Sequence, residues 1–208
     1  MPTFEYEDKL WKEGKIIAGL DEVGRGCLAG PVVSVAVILN QNAKSKEYLE
    51  LINDSKAISE SKRDLVFSKI IEDFEYSIDF LDNNVVDEIN ILQASILSMK
   101  NSASKLKTKP NHLLIDGNRF TKYDIDYTLI IKGDSISYSI AAASIVAKVT
   151  RDKYMIEVAD KLYPEYGFAK HKGYATEFHR KKIIEFGACP IHRRTFLGKI
   201  LSNQEKMF

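Results

Sequence analysis

Residues 19–26 read GLDEVGRG and separate two stretches that are rich in β-forming residues, Lys15 to Leu20 and Pro31 to Leu39. Apolar, β-branched runs on either side of a short glycine-containing segment are typical of strands that pair across a tight connection. The sequence therefore predicts an N-terminal strand pair at the start of a sheet, joined by a connection that carries charged residues.

That connection begins with two adjacent acids, Asp21 and Glu22. Neighbouring residues of a regular strand face opposite sides of a sheet. For both carboxylates to share one site, we therefore expect the backbone to turn at once after the first strand. Gly24 and Gly26 supply the conformational freedom that such a turn needs.

Further along the chain, helical and strand patterns alternate. Apolar residues recur at helical spacing in 66–74 and 85–103, and strand patterns occupy 76–80, 112–115 and 127–131. Strands that alternate with helices predict an α/β fold, in which a mixed β-sheet is flanked by helices.

Two of the internal strand candidates lead into an aspartate. One precedes Asp116, and the other precedes Asp134, at which we expect the first turn of a long alanine-rich helix to begin. Ligand sites in α/β sheets gather at strand ends, so these aspartates and the Asp21 and Glu22 pair are candidates for one site. Taken singly, an aspartate after a strand is more often a turn former or a helix cap, and for Asp134 that alternative stays open.

Four clustered carboxylates raise one another's pKa unless a hard cation neutralises them. Mg²⁺ or Mn²⁺ fits best, because these ions prefer oxygen ligands and leave room for the phosphate oxygens of a substrate. The two cysteines, Cys27 and Cys189, show no spacing typical of a zinc site. Two such ions side by side would support hydrolysis of a phosphodiester.

Charge is distributed unevenly along the chain. Residues 161–208 contain ten Lys and Arg against four Asp and Glu, although the whole chain has 30 against 29. Tyr174 and Phe178 lie among these basic residues, a mixture that suits a nucleic-acid surface, although a solvated helix face would carry the same charges. We expect residues 161–208 to form a basic C-terminal helical extension of a single domain spanning residues 1–208.

Sequence patterns argue against export and membrane insertion. The charged N-terminal stretch does not resemble a signal peptide, and the longest apolar run is too short for a membrane helix. Two cysteines make no disulfide framework. We therefore expect a cytoplasmic protein, and a monomer, because few apolar residues exceed the needs of one core.

Seven ordered segments of the chain resemble the signature of the ribonuclease HII family, the bacterial type 2 ribonucleases H. In chain order they are 19–33, 54–56, 115–117, 133–134, 142–152, 171–174 and 190–196. Ordered motifs that cover nearly the whole chain are far more specific than a single acidic pair.

The resemblance implies a ribonuclease H-like fold and a Mg²⁺- or Mn²⁺-dependent endonuclease that cuts RNA paired with, or joined to, DNA. It also implies a role in removing ribonucleotides during DNA replication and repair. The family's catalytic, metal-holding carboxylates correspond to Asp21, Glu22, Asp116 and Asp134. Its substrate-binding elements correspond to Gly24, Arg25, Gly26, Ser55, Lys56 and the ribose-sensing Tyr174, to which the basic cluster adds Lys172. Asp152 matches a supporting acidic position.

Two other functions stay open at this point. One is a non-catalytic module that binds RNA/DNA hybrids, against which four clustered carboxylates argue. The other is a different two-metal nuclease of the same fold, such as a resolvase, which has no need of a ribose sensor. Ala57 stands where the family often has a second lysine, so we expect one phosphate contact to be missing.

The C-terminal residues suggest a protein partner. Gln204, Met207 and Phe208 resemble the anchors of short peptides that dock on the sliding clamp of bacterial replication. A free chain end suits such docking, and a frayed terminus is the alternative.

Overall fold

The computed structural model describes residues 1–52, 59–198 and 200–201. Its strands are β1 (Ile17–Val23), β2 (Val32–Ile38), β3 (Glu75–Leu81), β4 (His112–Asp116) and β5 (Asp126–Ile130). In the described part of the chain they form one sheet, in the order β3-β2-β1-β4-β5. The first three strands pair antiparallel, and β4 and β5 extend the sheet parallel to β1. The predicted N-terminal strand pair is therefore confirmed as β1 and β2.

Helices cover both faces of this sheet. They are α1 (Glu5–Lys12), α2 (Glu60–Asp73), α3 (Asn83–Lys105), α4 (Tyr138–Tyr154), α5 (Asp160–Leu162), α6 (Phe168–His171) and α7 (Glu177–Phe186). Helices α2 and α4 share one hydrophobic core with β2, while α3 packs against β1 and β2 from the other side. The predicted mixed sheet flanked by helices is confirmed. No helix in the described ranges is long and apolar enough to cross a membrane.

Strand β1 carries a glycine where α4 crosses it. A Cβ atom added at Gly19 would lie 2.1 Å from the carbonyl carbon of Ser139, a distance that real Cβ contacts do not reach. Ala141, Ala142 and Ala143 in the same helix are fully buried. Helix α4 therefore lies directly against the strand that carries the acid pair.

Helix α4 starts later than expected. Ser137 is its N-cap, accepting a hydrogen bond from the amide of Ile140, whereas Asp134 lies in a preceding 3₁₀ turn, Gly133–Ser135. The start is fixed by the buried Glu7, which accepts hydrogen bonds from the Ser137 hydroxyl at 2.6 Å and the Ser139 amide at 2.9 Å. The prediction that Asp134 begins the first turn of the helix is wrong, because these contacts favour the later cap.

The segment after α4 packs back on the connection between β1 and β2. A π-helical turn, Met155–Ala159, continues α4, and the short helices that follow surround Phe168. Two buried arginines join the two parts. Arg151 donates to the carbonyls of Ala29, Pro31 and Lys172, and Arg193 donates to those of Arg25 and Gly30.

Candidate active site

An open cavity of about 440 Å³ lies where β1 and β4 end, and all four predicted carboxylates line it. The residues that line it are Asp21, Glu22, Val23, Gly24, Arg25, Gly26, Arg63, Asp116, Asp134, Ser144, Ile145, Lys148 and Tyr174. Adjacent parallel strands supply Asp21 and Asp116, and the turn after β5 supplies Asp134. The four acids therefore meet at one cavity, as expected of acids at strand ends.

The acid pair reaches the cavity without a sharp turn of the backbone. Strand β1 continues through both residues, with Asp21 opposite Val35 and Glu22 opposite Ser34 in β2. Asp21 faces α4, where Ser144 hydrogen bonds to it. Glu22 also lines a second cavity, of about 390 Å³, on the side of α3. The prediction of an immediate turn is wrong, because the two side chains approach the shared cavity from opposite faces of the strand.

The buried acids repel one another. Burial raises the pKa of Asp21 well above its ordinary value, and the neighbouring charges of Glu22 and Asp116 raise it further. The pKa of Glu22 is also raised, mainly by burial, although Arg25 opposes the shift through an ion pair at 3.0 Å. Among the described residues, Glu22 Oε2 is buried without a hydrogen-bond partner. The site thus holds more negative charge than its own cations offset.

The donor atoms at this site fit a hard cation. The acidic groups that line the cavity offer carboxylate oxygens, which Mg²⁺ and Mn²⁺ prefer, and no described lining residue is His or Cys. In the described ranges, no three His, Cys, Asp or Glu side chains stand close enough together to hold a metal ion as they lie. Asp116 Oδ1 accepts a hydrogen bond from the Gly133 amide at 2.6 Å. Mg²⁺ needs only one or two protein carboxylates besides water and substrate phosphate oxygens, so the carboxylates of the cavity fit it.

The glycine-arginine-glycine turn, Gly24 to Gly26, and Tyr174 also line the cavity. Gly24 has φ of 95°, and a Cβ atom there would lie 2.4 Å from Arg151 Nε, so this position requires glycine. Tyr174 forms a β-bridge with Cys27 and is 39% exposed. Burial, and after it the neighbouring Cys27, raise the pKa of Tyr174.

The remaining residues that were predicted to bind or support the substrate do not line this cavity or lie outside the described residues. Lys172 does not line the cavity, and its ammonium group donates to the carbonyl of Ala169. Asp152 pairs with Lys148 at 2.9 Å, in keeping with a supporting position. Ser55 and Lys56 lie outside the described residues, as do Gln204, Met207 and Phe208.

Sequence reasoning assigned no role to three further polar lining residues, Arg63, Ser144 and Lys148. Ser144 and Lys148 are four apart and lie on one face of α4, inside a segment that resembles the family, so this spacing could have signalled them. Lys148 Nζ also lies 5.6 Å from the centre of the Tyr174 ring. Arg63 reaches the cavity from α2, and nothing in its neighbouring sequence marks it.

The sheet order and the strand-end acids define a protein of the ribonuclease H-like class. Within that class the chain belongs to the ribonuclease HII family, whose model matches residues 18–199. The resemblance seen in the sequence is confirmed.

Known proteins agree with this assignment. The ribonuclease HII of Caldicellulosiruptor bescii is 47% identical over 201 residues, which are 96% of this chain and 95% of that protein. The crystal structure of ribonuclease H2 from Pyrococcus horikoshii OT3 is similar with a TM-score of 0.74 and 26% identity, covering 91% of this chain and 99% of that one. A ribonuclease HII from Archaeoglobus fulgidus, solved in complex with PCNA, shares the fold with a TM-score of 0.70 and 23% identity, covering 86% and 93%.

Proposed function

We propose that this chain is an endoribonuclease that hydrolyses the RNA strand of RNA/DNA hybrids and cuts at ribonucleotides embedded in duplex DNA. The observation that carries the proposal is the cavity that the strand-end carboxylates line together with the glycine-arginine-glycine turn and Tyr174. Membership of the ribonuclease HII family supports it. The reaction adds water across a phosphodiester bond, so the enzyme is a hydrolase.

In this proposal Asp21, Glu22, Asp116 and Asp134 hold two Mg²⁺ or Mn²⁺ ions. When bound, such ions activate water and stabilise the charge on the departing oxygen. The chain's own groups orient the carboxylates, since Ser144 holds Asp21 and the Gly133 amide holds Asp116. The unpaired oxygen of Glu22 supports this assignment, because burying it without a partner is costly unless a cation binds there.

Cations of the chain face the same cavity and would bind the substrate. Arg63 and Lys148 both line it, and phosphate groups of a nucleic acid are attracted to such side chains. Lys148 is ion-paired with Asp152, which holds it next to the Tyr174 ring. Asp152 therefore acts by positioning Lys148.

Discrimination between RNA and DNA is assigned to the glycine-arginine-glycine turn and Tyr174. The 2′-hydroxyl is the group that DNA lacks, so a selective site must make a contact that depends on it. The backbone of Gly24, Arg25 and Gly26 can approach a sugar closely, and the Tyr174 hydroxyl can hydrogen bond to it. A missing 2′-hydroxyl would leave these partners without the contact.

Three duplexes test the proposal: a long RNA/DNA hybrid, a DNA duplex with one embedded ribonucleotide, and an all-DNA duplex. With Mg²⁺ or Mn²⁺ present, we expect cutting of the first two and not of the third. EDTA should abolish cutting without lowering the melting temperature of the protein. Cutting of the all-DNA duplex would instead support a resolvase-like nuclease, and tight binding without cutting would support a hybrid-binding module.

The remaining predictions concern partners and location. Ser55, Lys56 and Lys172 are proposed as further phosphate contacts, and the protein as a cytoplasmic monomer. Gln204, Met207 and Phe208 are proposed to dock on a sliding clamp. A truncation after Asn203 should lose retention on immobilised clamp, and retention equal to that of the full chain would rule out this docking peptide.

A further inference from the structure

Three buried histidines lie directly behind Tyr174. His171 is 8% exposed, His179 is fully buried and His192 is 1% exposed. The rings of His171 and His179 stack with their centres 4.2 Å apart, and Nε2 of His179 lies 3.0 Å from Nε2 of His192. Phe168 packs against all three rings. The rings are thus enclosed by apolar surface and have few orientations available.

Backbone partners determine which nitrogen of each ring carries the proton. The Cys189 amide lies 3.0 Å from Nδ1 of His192 and donates to it, so a neutral His192 holds its proton on Nε2. That proton is donated to Nε2 of His179. His179 then carries its own proton on Nδ1, which lies 2.9 Å from the Tyr174 carbonyl oxygen. The three hydrogen bonds run in one direction and end on Tyr174.

His171 completes the same arrangement from the other side. Its Nδ1 accepts the Gly173 amide at 3.2 Å, so its proton is on Nε2, which donates to the Tyr166 carbonyl at 2.9 Å. On the opposite side of the segment, the Gly173 carbonyl accepts the Leu28 amide at 2.9 Å. The backbone at Gly173 and Tyr174 is therefore held between the histidines and the segment that follows the glycine-arginine-glycine turn.

We propose that His179 and His192 are positioning residues for Tyr174. The ordered relay from Cys189 through His192 and His179 fixes the Tyr174 carbonyl, and with it the placement of the tyrosine side chain in the cavity. The inference rests on the proposed function, in which Tyr174 senses the 2′-hydroxyl. Neither histidine touches the cavity, so their effect on the reaction is exerted through Tyr174.

Two substitutions at one position separate positioning from simple packing. Asparagine at 179 places an amide donor near the position of Nδ1, whereas glutamine places its amide near Nε2 and loses the bond to Tyr174. We expect His179→Gln to lower kcat/KM on the single-ribonucleotide duplex about tenfold, the effect of one lost hydrogen bond. The loss on a long hybrid should be smaller, because many registers offer a cuttable bond. His179→Asn should recover most of the selective loss.

A double-mutant cycle shows whether the effect passes through the tyrosine. In a Tyr174→Ala background, His179→Gln should cause little further loss on the single-ribonucleotide duplex. The matched control is His112→Gln, which removes a histidine that hydrogen bonds to Thr128 in the sheet and should leave the ratio of the two substrates unchanged. Equal losses on both substrates, or additive effects in the cycle, would overturn the inference.

The direction of the hydrogen bonds can also be measured on the wild-type protein. Nitrogen-15 NMR of the imidazoles at pH 7.5 should find the proton of His192 on Nε2 and that of His179 on Nδ1. The opposite tautomers would overturn the relay even if the variants fail to fold. If Tyr174→Ala shows no selective loss, the proposed sensor fails together with its positioning. If Tyr174→Ala shows the selective loss and His179→Gln does not, the positioning alone fails.

Discussion

Asp21 and Glu22 occupy neighbouring positions of one strand but have different surroundings. Asp21 has the hydroxyl of Ser144 on one side and two carboxylates nearby, whereas Glu22 pairs with the half-exposed Arg25. Both pKa values are raised, so the pair is protonated more readily than ordinary carboxyl groups. A bound divalent cation would lower both pKa values again, because it favours the charged forms.

Asp134 provides the cleanest test of the acidic site, because it does not cap α4. We expect Asp134→Asn to lower cleavage at millimolar Mg²⁺ by at least about a hundredfold while the melting temperature stays close to that of the wild type. The substitution keeps the size of the side chain and removes only its charge. Cleavage of a long hybrid and thermal unfolding are the two measurements.

The control for this substitution is Asp126→Asn. Asp126 is the first residue of β5, and its exposed side chain lies in a loose ion pair with Lys15 at 3.9 Å. The Asp126→Asn variant should cleave the long hybrid at the wild-type rate. A near wild-type rate for Asp134→Asn as well would remove Asp134 from the metal site.

Tyr174 is expected to act through both its ring and its hydroxyl. Tyr174→Ala should lose more activity on a duplex with one ribonucleotide than on a long hybrid, and Tyr174→Phe should fall between alanine and wild type because only its hydroxyl is missing. Rates on both substrates and the melting temperature are to be measured. Equal losses on the two substrates, with a drop in melting temperature, would indicate that Tyr174 only packs the C-terminal extension.

At the level of the elements, the close approach of α4 and β1 decides where the site forms. Gly19 permits that approach, and the Ser139 backbone occupies the space of a side chain. We expect Gly19→Ala to destabilise the protein by about 3 kcal/mol or more, because the obstruction is backbone and cannot rotate away. Urea unfolding measures the change. Gly198→Ala is the control, since an added Cβ there meets no described atom within 4 Å, and a similar loss there would refute the steric explanation.

Much of this arrangement was predictable from local patterns, and some was not. The strand pair, the internal strands ending near aspartates and the α3 helix follow from apolar periodicity. The start of α4 could not be predicted, because it depends on Glu7, which is 130 residues away in sequence from Ser137. The continuation of β1 through Glu22 was missed for a similar reason, since pairing with Ser34 overrides the freedom of the following glycines.

The buried histidines give the C-terminal elements a pH-dependent stability. Burial lowers the pKa of both His179 and His192 to about 4. In the unfolded chain these histidines bind protons below about pH 6.5. The two neutral rings therefore contribute their full stability above that pH, and this contribution is lost as pH falls toward 4. At pH 5 the loss should be on the order of 2 kcal/mol for each ring.

Urea unfolding at pH 7.5 and pH 5 measures this effect. Asp21 and Glu22, with raised pKa values, act in the opposite sense, so wild type must be compared with His179→Gln. The free energy of unfolding should fall between pH 7.5 and pH 5 by about 2 kcal/mol less in His179→Gln than in wild type. An unchanged difference would show that His179 does not carry the dependence.

At the scale of the whole molecule, a further group of basic residues lies outside the cavity, in the C-terminal part of the chain. The cavity lies where the inner strands β1 and β4 end, while these further cations accompany exposed aromatic rings. Lys170 and Lys182 lie 5.7 and 5.8 Å from the centre of the exposed Phe178 ring. Phosphates of a bound duplex can contact this basic surface while the bond that is cut lies in the acidic cavity.

Binding should therefore depend on salt. We expect Lys170→Ala to raise KM for a long hybrid and to reduce the slope of log KM against log salt by about one unit. The control is Lys44→Ala, since Lys44 pairs with Asp8 beside α1. If Lys170→Ala left the slope unchanged, this surface would not contact phosphate.

The contacts of Arg151 and Arg193 bear on which sequence changes the protein tolerates. Both guanidinium groups donate to main-chain carbonyls, at Ala29, Gly30 and Pro31 among others. Such anchors depend on the path of the chain, and the side chains of the anchored residues matter mainly where a Cβ atom would meet an arginine, as at Gly24. Replacing either arginine would release several carbonyls at once. Among relatives, variation should accordingly be tolerated more readily at the non-glycine positions of the anchored segment than at the two arginines.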